Sequence, residues 1–178
     1  DMTAGVTVQA ITGTKSNDKP IYTCFLVDAD QAGFKAVPMK GKMMWRASNT
    51  AELYFDDVRI PKSNILGNLG DGFHQMLQTL DGGRLSIAAM GLGGAQGAYE
   101  RALKYAQERE QFGQPISKFQ AIAFKLADCA VEIECARNLL YKACWLRNTG
   151  RPFEKLAAMA KLYCSELMGR VANHAVQI

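Results

Sequence analysis

Histidine is nearly absent: His74 and His174 are the only two in 178 residues, and neither stands at a motif spacing from a serine or cysteine, so no nucleophilic triad is signalled. The five cysteines, Cys24, Cys129, Cys135, Cys144 and Cys164, are odd in number and form no C-x-x-C pair. That pattern argues against a zinc site or a disulfide framework, and the thiols are expected to be reduced, buried and inert, as in a reducing compartment. No run approaches the ~18 to 20 uninterrupted apolar residues of a membrane-spanning helix, so a soluble protein without a transmembrane segment is expected. Charge of one sign is not concentrated anywhere: 21 Lys and Arg against 17 Asp and Glu leave 21 − 17 = +4 with no basic block. Nucleic-acid binders gather their cations on one stripe, so nucleic acid is not an expected partner. Neither G-x-G-x-x-G after a strand nor G-x-x-x-x-G-K-[ST] occurs, which removes the Rossmann and Walker phosphate loops; Gly91-Leu92-Gly93-Gly94 sits in a helical region instead.

What is present is a core. Apolar residues make up 48% and charged residues 21%, a globular balance. The chain opens at Asp1 without an initiator Met and closes at Ile178 inside an apolar periodic run, and is expected to be a fragment. Its first third carries the strand pattern of short β-branched and aromatic runs: Val6 to Thr12, Ile21 to Asp28, Gly33 to Pro38 and Ala51 to Ile60, parted by turn residues. In the last run Leu53 and Phe55 are out of period-2 register with Val58 and Ile60, which predicts a bulge at Asp56-Asp57. Pro61 ends the strand region.

From Asp71 the period becomes helical. Met76, Leu80, Ile87, Met90, Gly91, Ala95, Ala98, Ala102 and Tyr105 recur at three- and four-residue steps, and small residues crowd the segment from Ala88 to Ala98. Each helical glycine costs roughly 1 kcal/mol against Ala, so a neighbouring backbone or a ligand is expected to approach closely there. A break at Phe112 to Pro115 precedes a second helix with Ser117 as N-cap and Ile122, Leu126, Ala130, Ile133, Leu140 and Ala143 on its stripe. Gly150 and Pro152 stop it and start a third, bearing Leu156, Met159, Tyr163, Leu167, Val171 and His174. Helices of about 25 to 30 residues, each roughly 40 Å long at ~1.5 Å per residue, joined by short loops, describe an up-and-down bundle. The fold class is therefore α+β, with part of an antiparallel β-domain over residues 1–66 and long antiparallel helices over 67–178.

Two polar segments stand out. Leu80-Asp81-Gly82-Gly83-Arg84 sets an acid and a base three apart at a bend: either a surface ion pair worth a few tenths of a kcal/mol, or a polar pair facing a bound anion where glycines allow close approach. Glu108-Arg109-Glu110-Gln111-Phe112-Gly113 ends a helix with a cation, which either complements the helix dipole or clasps a pyrophosphate in two-point fashion. Met39, Met43 and Met44 are expected to fill core, and Trp45 to lie in the core or at an interface.

Read in order, Arg46-Ala47-Ser48-Asn49-Thr50, Phe55-x-x-Val58-x-Ile60-Pro61, Asn64-Ile65-Leu66-Gly67, Gly70-x-Gly72-Phe73, Leu80 to Arg84, Tyr105-Ala106-x-Glu108-Arg109-x-Gln111-Phe112-Gly113, Phe119-Gln120 and Ala175-Val176-Gln177-Ile178 resemble the acyl-CoA dehydrogenase family along practically the whole chain. Two departures are Met44, where the family commonly has glycine, and Phe119, where some members have a polar residue.

The resemblance implies that residues 1–66 are the C-terminal part of a middle β-domain and 67–178 the first three helices of a C-terminal four-helix bundle, in a homotetramer built as a dimer of dimers. It implies FAD as cofactor, an acyl-CoA substrate, an electron-transfer flavoprotein as partner, and a place in fatty-acid β-oxidation in the bacterial cytoplasm or mitochondrial matrix. In that chemistry a glutamate takes the α-proton of the thioester while the β-hydrogen leaves as hydride to the flavin, giving a trans-2-enoyl-CoA. The base that some members place just before the arginine of the Leu-Asp motif falls here on Gly83, so the catalytic glutamate is expected beyond Ile178.

By the same carry-over Asp81, Gly82, Gly83 and Arg84 contact the acyl-CoA. Arg109, with Gln111 and Phe112 beside it, reaches the FAD pyrophosphate of a neighbouring subunit, and Gln120 and Gln177 lie near the ADP portion. No metal is implied. The wording Thr79 to Arg84 leans toward short-chain members. The alternatives are a non-catalytic assembly or scaffold relative of the fold, and an acyl-CoA oxidase-like flavoenzyme that passes electrons to oxygen.

Overall fold

A computed structural model describes residues 4–178; Asp1 to Thr3, the start of the expected β-domain, lie outside the described residues. The chain divides into two compact units, one ending at Leu77 and the other beginning at Gln78.

In the first unit β1 (Gly5–Thr14) and β2 (Pro20–Asp28) form an antiparallel hairpin, with Val8 opposite Phe25 and a register shift between Ile11 and Gly13. The short β5 (Ile65–Leu66) adds to the other edge of β2, and β3 (Phe34–Pro38) pairs with β4 (Ala51–Phe55) as a separate hairpin. Phe34 and Phe55 face each other across that hairpin with ring centroids 5.1 Å apart. The expected fourth strand is shorter than its apolar run: β4 stops at Phe55, and Asp57 takes φ 45° in a bend. The register break expected as a bulge at Asp56-Asp57 is therefore a strand end, and the irregularity in the sheet lies at Ile11 to Gly13 instead.

Thr23 is fully buried in this unit, its hydroxyl 2.8 Å from that of Thr12 and accepting the Gly70 N–H at 3.0 Å. A side chain at Gly72 would stand 2.9 Å from the Thr23 backbone, so the chain enters the next helix over β2 only because that position carries none.

That helix, α1 (Gly72–Glu108), runs 37 residues without interruption. The bend expected at Leu80 to Arg84 is absent, because two glycines lower helix propensity without removing any backbone hydrogen bond. The second unit continues with the hairpin β6 (Glu110–Gln111) and β7 (Gln114–Pro115), then α2 (Gln120–Asn148) and α3 (Glu154–Gln177). Ser117 is not the N-cap expected of it: it sits in a 3-10 turn over Ile116–Lys118, and Phe119 occupies the cap position without a side-chain bond. The end of α2 matches its signal. Gly150 at φ 66° donates to Arg147 O and Arg151 donates to Leu146 O, the paired bonds of a Schellman stop, and Pro152 follows.

The core of this unit joins Leu85, Ala88 and Leu92 of α1, Ile133 and Leu140 of α2, and Leu167 and Val171 of α3, among others. A smaller cluster holds Ala102, Ala106, Ile116 and Leu126. The expected close approach to the glycine-rich stretch is α3. A Cβ at Gly91 would lie 2.7 Å from Cys164 O, and one at Gly94 2.8 Å from the Met168 side chain. The apolar stripe of α1 is divided between two faces: Leu80, Ile87, Met90 and Tyr105, expected inside, are exposed by 42% or more, while Leu85, Ala88 and Leu92 take the core.

All five cysteines are free, and three of them, Cys24, Cys129 and Cys164, are buried. Cys135 departs from expectation in being exposed, since it falls on the outer face of α2 between the buried Ile133 and Ala136. Met43 and Met44 depart further: they are 95% and 66% exposed on the loop from β3 to β4 and fill no core in this unit. Among the described residues no helix is long and apolar enough to cross a membrane, and no three His, Cys, Asp or Glu side chains group as a metal site.

Candidate functional site

Both polar segments of the sequence lie in the second unit, Leu80 to Arg84 in the first half of α1 and Glu108 to Gly113 at and past its C-terminal end. Arg84 and Asp81 pair directly, guanidinium to carboxylate, one turn apart on that helix. Their side chains are 38% and 21% exposed, so the pair is half-withdrawn from water and still open on one side. Gly82 faces Arg147 of α2, whose guanidinium would be 3.7 Å from a Cβ placed there, while Gly83 opens on free space. The segment therefore offers three charges, two positive and one negative, around a stretch of helix without side-chain bulk. No local motif in the sequence marks Arg147, which lies sixty-odd positions from Gly82.

At the other end α1 closes at Glu108, and the Arg109 N–H still donates to Tyr105 O at 2.8 Å. The chain then doubles back: Ile116 donates to Arg109 O at 2.8 Å, and Gln111 pairs with Gln114 across a two-residue turn made of Phe112 and Gly113. Both turn residues have positive φ, 52° and 79°, the pairing that a tight hairpin turn of primed type requires. Gly113 adopts it at no cost. Phe112 does not, because a left-handed conformation costs an ordinary residue roughly 1–2 kcal/mol. The strain buys no burial for its ring, which is 93% exposed and touches Phe119 edge-on at a centroid distance of 6.1 Å.

The hairpin walls an open cleft of about 350 Å³ whose lining includes Tyr105, Arg109, Gln111, Phe112, Phe119 and Ile178. Of the cofactor residues expected from the sequence, the fold brings Arg109, Gln111 and Phe112 together here. Gln120 and Gln177 adjoin the lining residues Phe119 and Ile178 in the chain and are exposed, without themselves lining the cleft. Tyr105 and Phe119 belong to the same motifs as Arg109 and Gln120, and their apolar character hid their role as walls. Among the described residues no carboxylate is in ion-pair range of Arg109. An exposed, uncompensated guanidinium beside an amide and an aromatic face fits a phosphate-bearing, ring-containing ligand.

From Arg84 to Arg109, the first residue past α1, is 25 positions, roughly 37 Å at ~1.5 Å per helical residue. The two sets cannot meet on one small ligand within a single copy of the chain. A hollow of about 520 Å³ beside β3 and β4 in the first unit holds Lys35, Tyr54 and Asp56 but no constellation of reactive groups. There the Tyr54 phenol donates to Glu52 at 2.6 Å, and that bond to a carboxylate raises its pKa.

Comparisons with known proteins show the family. The family model described as the acyl-CoA dehydrogenase C-terminal domain matches residues 70–178. Among curated relatives, the protein named probable acyl-CoA dehydrogenase YngJ of Bacillus subtilis (strain 168) is 51% identical over 97% of this chain and 46% of its own length. The solved structure of butyryl-CoA dehydrogenase from Megasphaera elsdenii superposes with a TM-score of 0.91 at 44% identity, covering 96% of this chain and 44% of that one. PigA, solved with FAD and proline, superposes with a TM-score of 0.91 at 26% identity over 99% of this chain and 46% of its own. The chain belongs to the acyl-CoA dehydrogenase family and spans about half the length of the relatives it matches.

Proposed function

We propose that this chain is part of an FAD-dependent acyl-CoA dehydrogenase that desaturates an acyl-CoA thioester to the trans-2-enoyl-CoA, of short-chain type. The observation that carries the reading is the uncompensated Arg109 beside the strained, exposed Phe112 on the rim of the α1 cleft. When bound, FAD supplies the hydride acceptor. In this reading Arg109 holds the pyrophosphate by charge-assisted hydrogen bonds, Gln111 adds an amide, and Phe112 covers apolar surface of the dinucleotide. Gln120 and Gln177 serve the ADP portion.

In the first half of α1, Arg84 and Asp81 contact the acyl-CoA, and the absence of side chains at Gly82 and Gly83 lets it approach the helix. By its match to the family motif Arg109 serves the flavin of a neighbouring subunit, which makes the active form an oligomer, a dimer of dimers in this reading; the roughly 37 Å of helix between the two sets is compatible with that division. Gly83 has no titratable group, and the general base is a glutamate carried beyond Ile178. Residues 1–66 are then the later part of a middle β-domain and 67–178 the first three helices of a four-helix bundle. The enzyme works in fatty-acid β-oxidation, in a bacterial cytoplasm or a mitochondrial matrix, and hands its electrons to an electron-transfer flavoprotein.

The test is anaerobic titration of the full-length flavoprotein with butyryl-CoA. Bleaching of the flavin absorbance supports the dehydrogenase, and no bleaching with any acyl-CoA sinks it in favour of a scaffold role. Fast reoxidation of the bleached flavin by air would assign an oxidase. A companion variant, Arg109→Ala, is expected to lose FAD on gel filtration while the apo form melts at an unchanged temperature. An equal loss of apo stability would instead make Arg109 a helix cap.

A further inference from the structure

The loop from β3 to β4 carries the largest departure from the expected core. Met43, Met44 and Trp45 are consecutive, and they are 95%, 66% and 53% exposed. Three neighbouring large apolar side chains turned to water are unfavourable unless something covers them. The loop is nonetheless braced. The Lys42 ammonium donates to Ser48 O at 2.5 Å and to Thr50 Oγ1 at 2.8 Å, the Arg46 guanidinium donates to Lys42 O at 2.9 Å, and Met39 and Thr50 close the base with a backbone bond of 2.8 Å. Trp45 is held at φ 57°, a conformation costly for a bulky residue, which the surrounding bonds enforce. The bracing presents the apolar tip outward instead of letting it collapse onto the sheet.

Charge decides what the tip meets. Lys40, Lys42 and Arg46 bracket it, residues 36–51 contain no Asp or Glu, and among the described residues none of the three cations is in an ion pair. We propose that this loop docks the protein on an anionic lipid surface, with Met43, Met44 and Trp45 seated at headgroup depth and the three cations among the lipid phosphates. An amphipathic Trp ring suits that interface, with its apolar body below and its N–H in the wet zone. Two unbranched methionines fit a fluid boundary that needs no shape-matched cavity, and cations around an apolar tip add attraction to anionic lipid. Three such cations strengthen binding roughly a hundredfold on anionic over neutral lipid. The inference is independent of the flavin reading, because none of its residues lies in the second unit.

The experiment uses the full-length protein and vesicles of mixed phosphatidylglycerol and phosphatidylcholine, with phosphatidylcholine alone as control. The expected result is co-sedimentation with the mixed vesicles only, lost in 1 M salt, where screening shortens to about 3 Å. With Trp145 and every tryptophan outside these 178 residues replaced by Phe, so that Trp45 alone emits, the emission shifts to the blue on adding mixed vesicles. The triple variant Met43→Ser, Met44→Ser, Trp45→Ser is expected to bind at least tenfold more weakly with an unchanged melting temperature. Lys40→Glu, an exposed position that braces nothing, is expected to weaken binding several-fold. The proposal is overturned if the parent protein fails to sediment with mixed vesicles, if it binds phosphatidylcholine equally well, or if the triple and Lys40 variants bind like the parent. It is also overturned if Trp45 is shielded from an aqueous quencher without vesicles, since protein then covers the loop.

Discussion

Gly91 lies against the Cys164 carbonyl so closely that a Cβ on the glycine would stand 2.7 Å from the oxygen. The neighbour is backbone in the middle of α3 and has no rotamer to yield, so α1 and α3 can cross at this point only over glycine. Gly93, two residues on, is exposed and has nothing within 4 Å of the same construction. The two positions therefore respond oppositely to the same change. Gly91→Ala is expected to destabilise the protein by about 1–3 kcal/mol through overpacking, and Gly93→Ala to stabilise it by about 0.5–1 kcal/mol through helix propensity. Denaturant midpoints of the two variants against the parent check both signs.

The crowding of small residues from Ala88 to Ala98 thus makes the helix contact legible in the sequence, because a glycine in a helix interior has few other physical reasons. The stop at Gly150 and the motif at Arg109 were legible for the same cause: each is a local rule about a few consecutive residues. What failed was long-range or ambiguous. Leu80, Ile87 and Met90 fit a helical period as well as Leu85 and Ala88 do, and period alone does not say which of two apolar faces meets α2 and α3. Val58 and Ile60 continued the apolar run of β4, but the pairing partner β3 begins at Phe34 opposite Phe55 and has no residues left to hold them in a ladder. The motif marks Phe112 but not its positive φ, since nothing in the letter says that the hairpin takes two residues in its turn.

Phe112 is accordingly a place where stability was given up. Asn is the residue the first position of such a turn prefers, so Phe112→Asn is expected to raise stability by up to about 1 kcal/mol. If the ring is there to cover a dinucleotide, the same variant loses affinity for FAD. A melting temperature that rises together with a weaker flavin dissociation constant is the expected pair of results. A fall in both would show that the contact with Phe119 outweighs the strain.

The Arg84 and Asp81 pair makes a sharper prediction about substrate than about folding. Both side chains are partly exposed, and a pair of that kind one turn apart contributes a few tenths of a kcal/mol at most. Arg84→Ala is thus expected to leave the denaturant midpoint within about 0.5 kcal/mol of the parent. If the guanidinium contacts acyl-CoA, the variant shows a loss of kcat/KM of at least tenfold, the cost of one charge-assisted hydrogen bond. Steady-state kinetics of the full-length enzyme, set beside the melting curve, separates the two roles.

The buried thiols Cys129 and Cys164 are expected to lower the stability of the second unit at alkaline pH. Burial pushes the pKa of Cys129 up, with Glu132 and Asp128 adding to it, and burial does the same to Cys164. A raised value in the folded state means that the native protein holds these protons where the unfolded chain has begun to release them, from about pH 8.5. Their contribution is fully present below that pH and is lost as pH rises toward the folded values. The denaturant midpoint is therefore expected to hold steady from pH 7 to about pH 8.5 and to fall above it, with Tyr163, also raised by burial, joining only near pH 10. Replacing both cysteines by Ala, at some cost in packing, should flatten the slope between pH 8.5 and 10. A thiol-reactive chromophore read in parallel should label the exposed Cys135 quickly and leave Cys129 and Cys164 until the chain opens. Rapid labelling of all the thiols in the native protein would mean that the helices part far more readily than their packing implies.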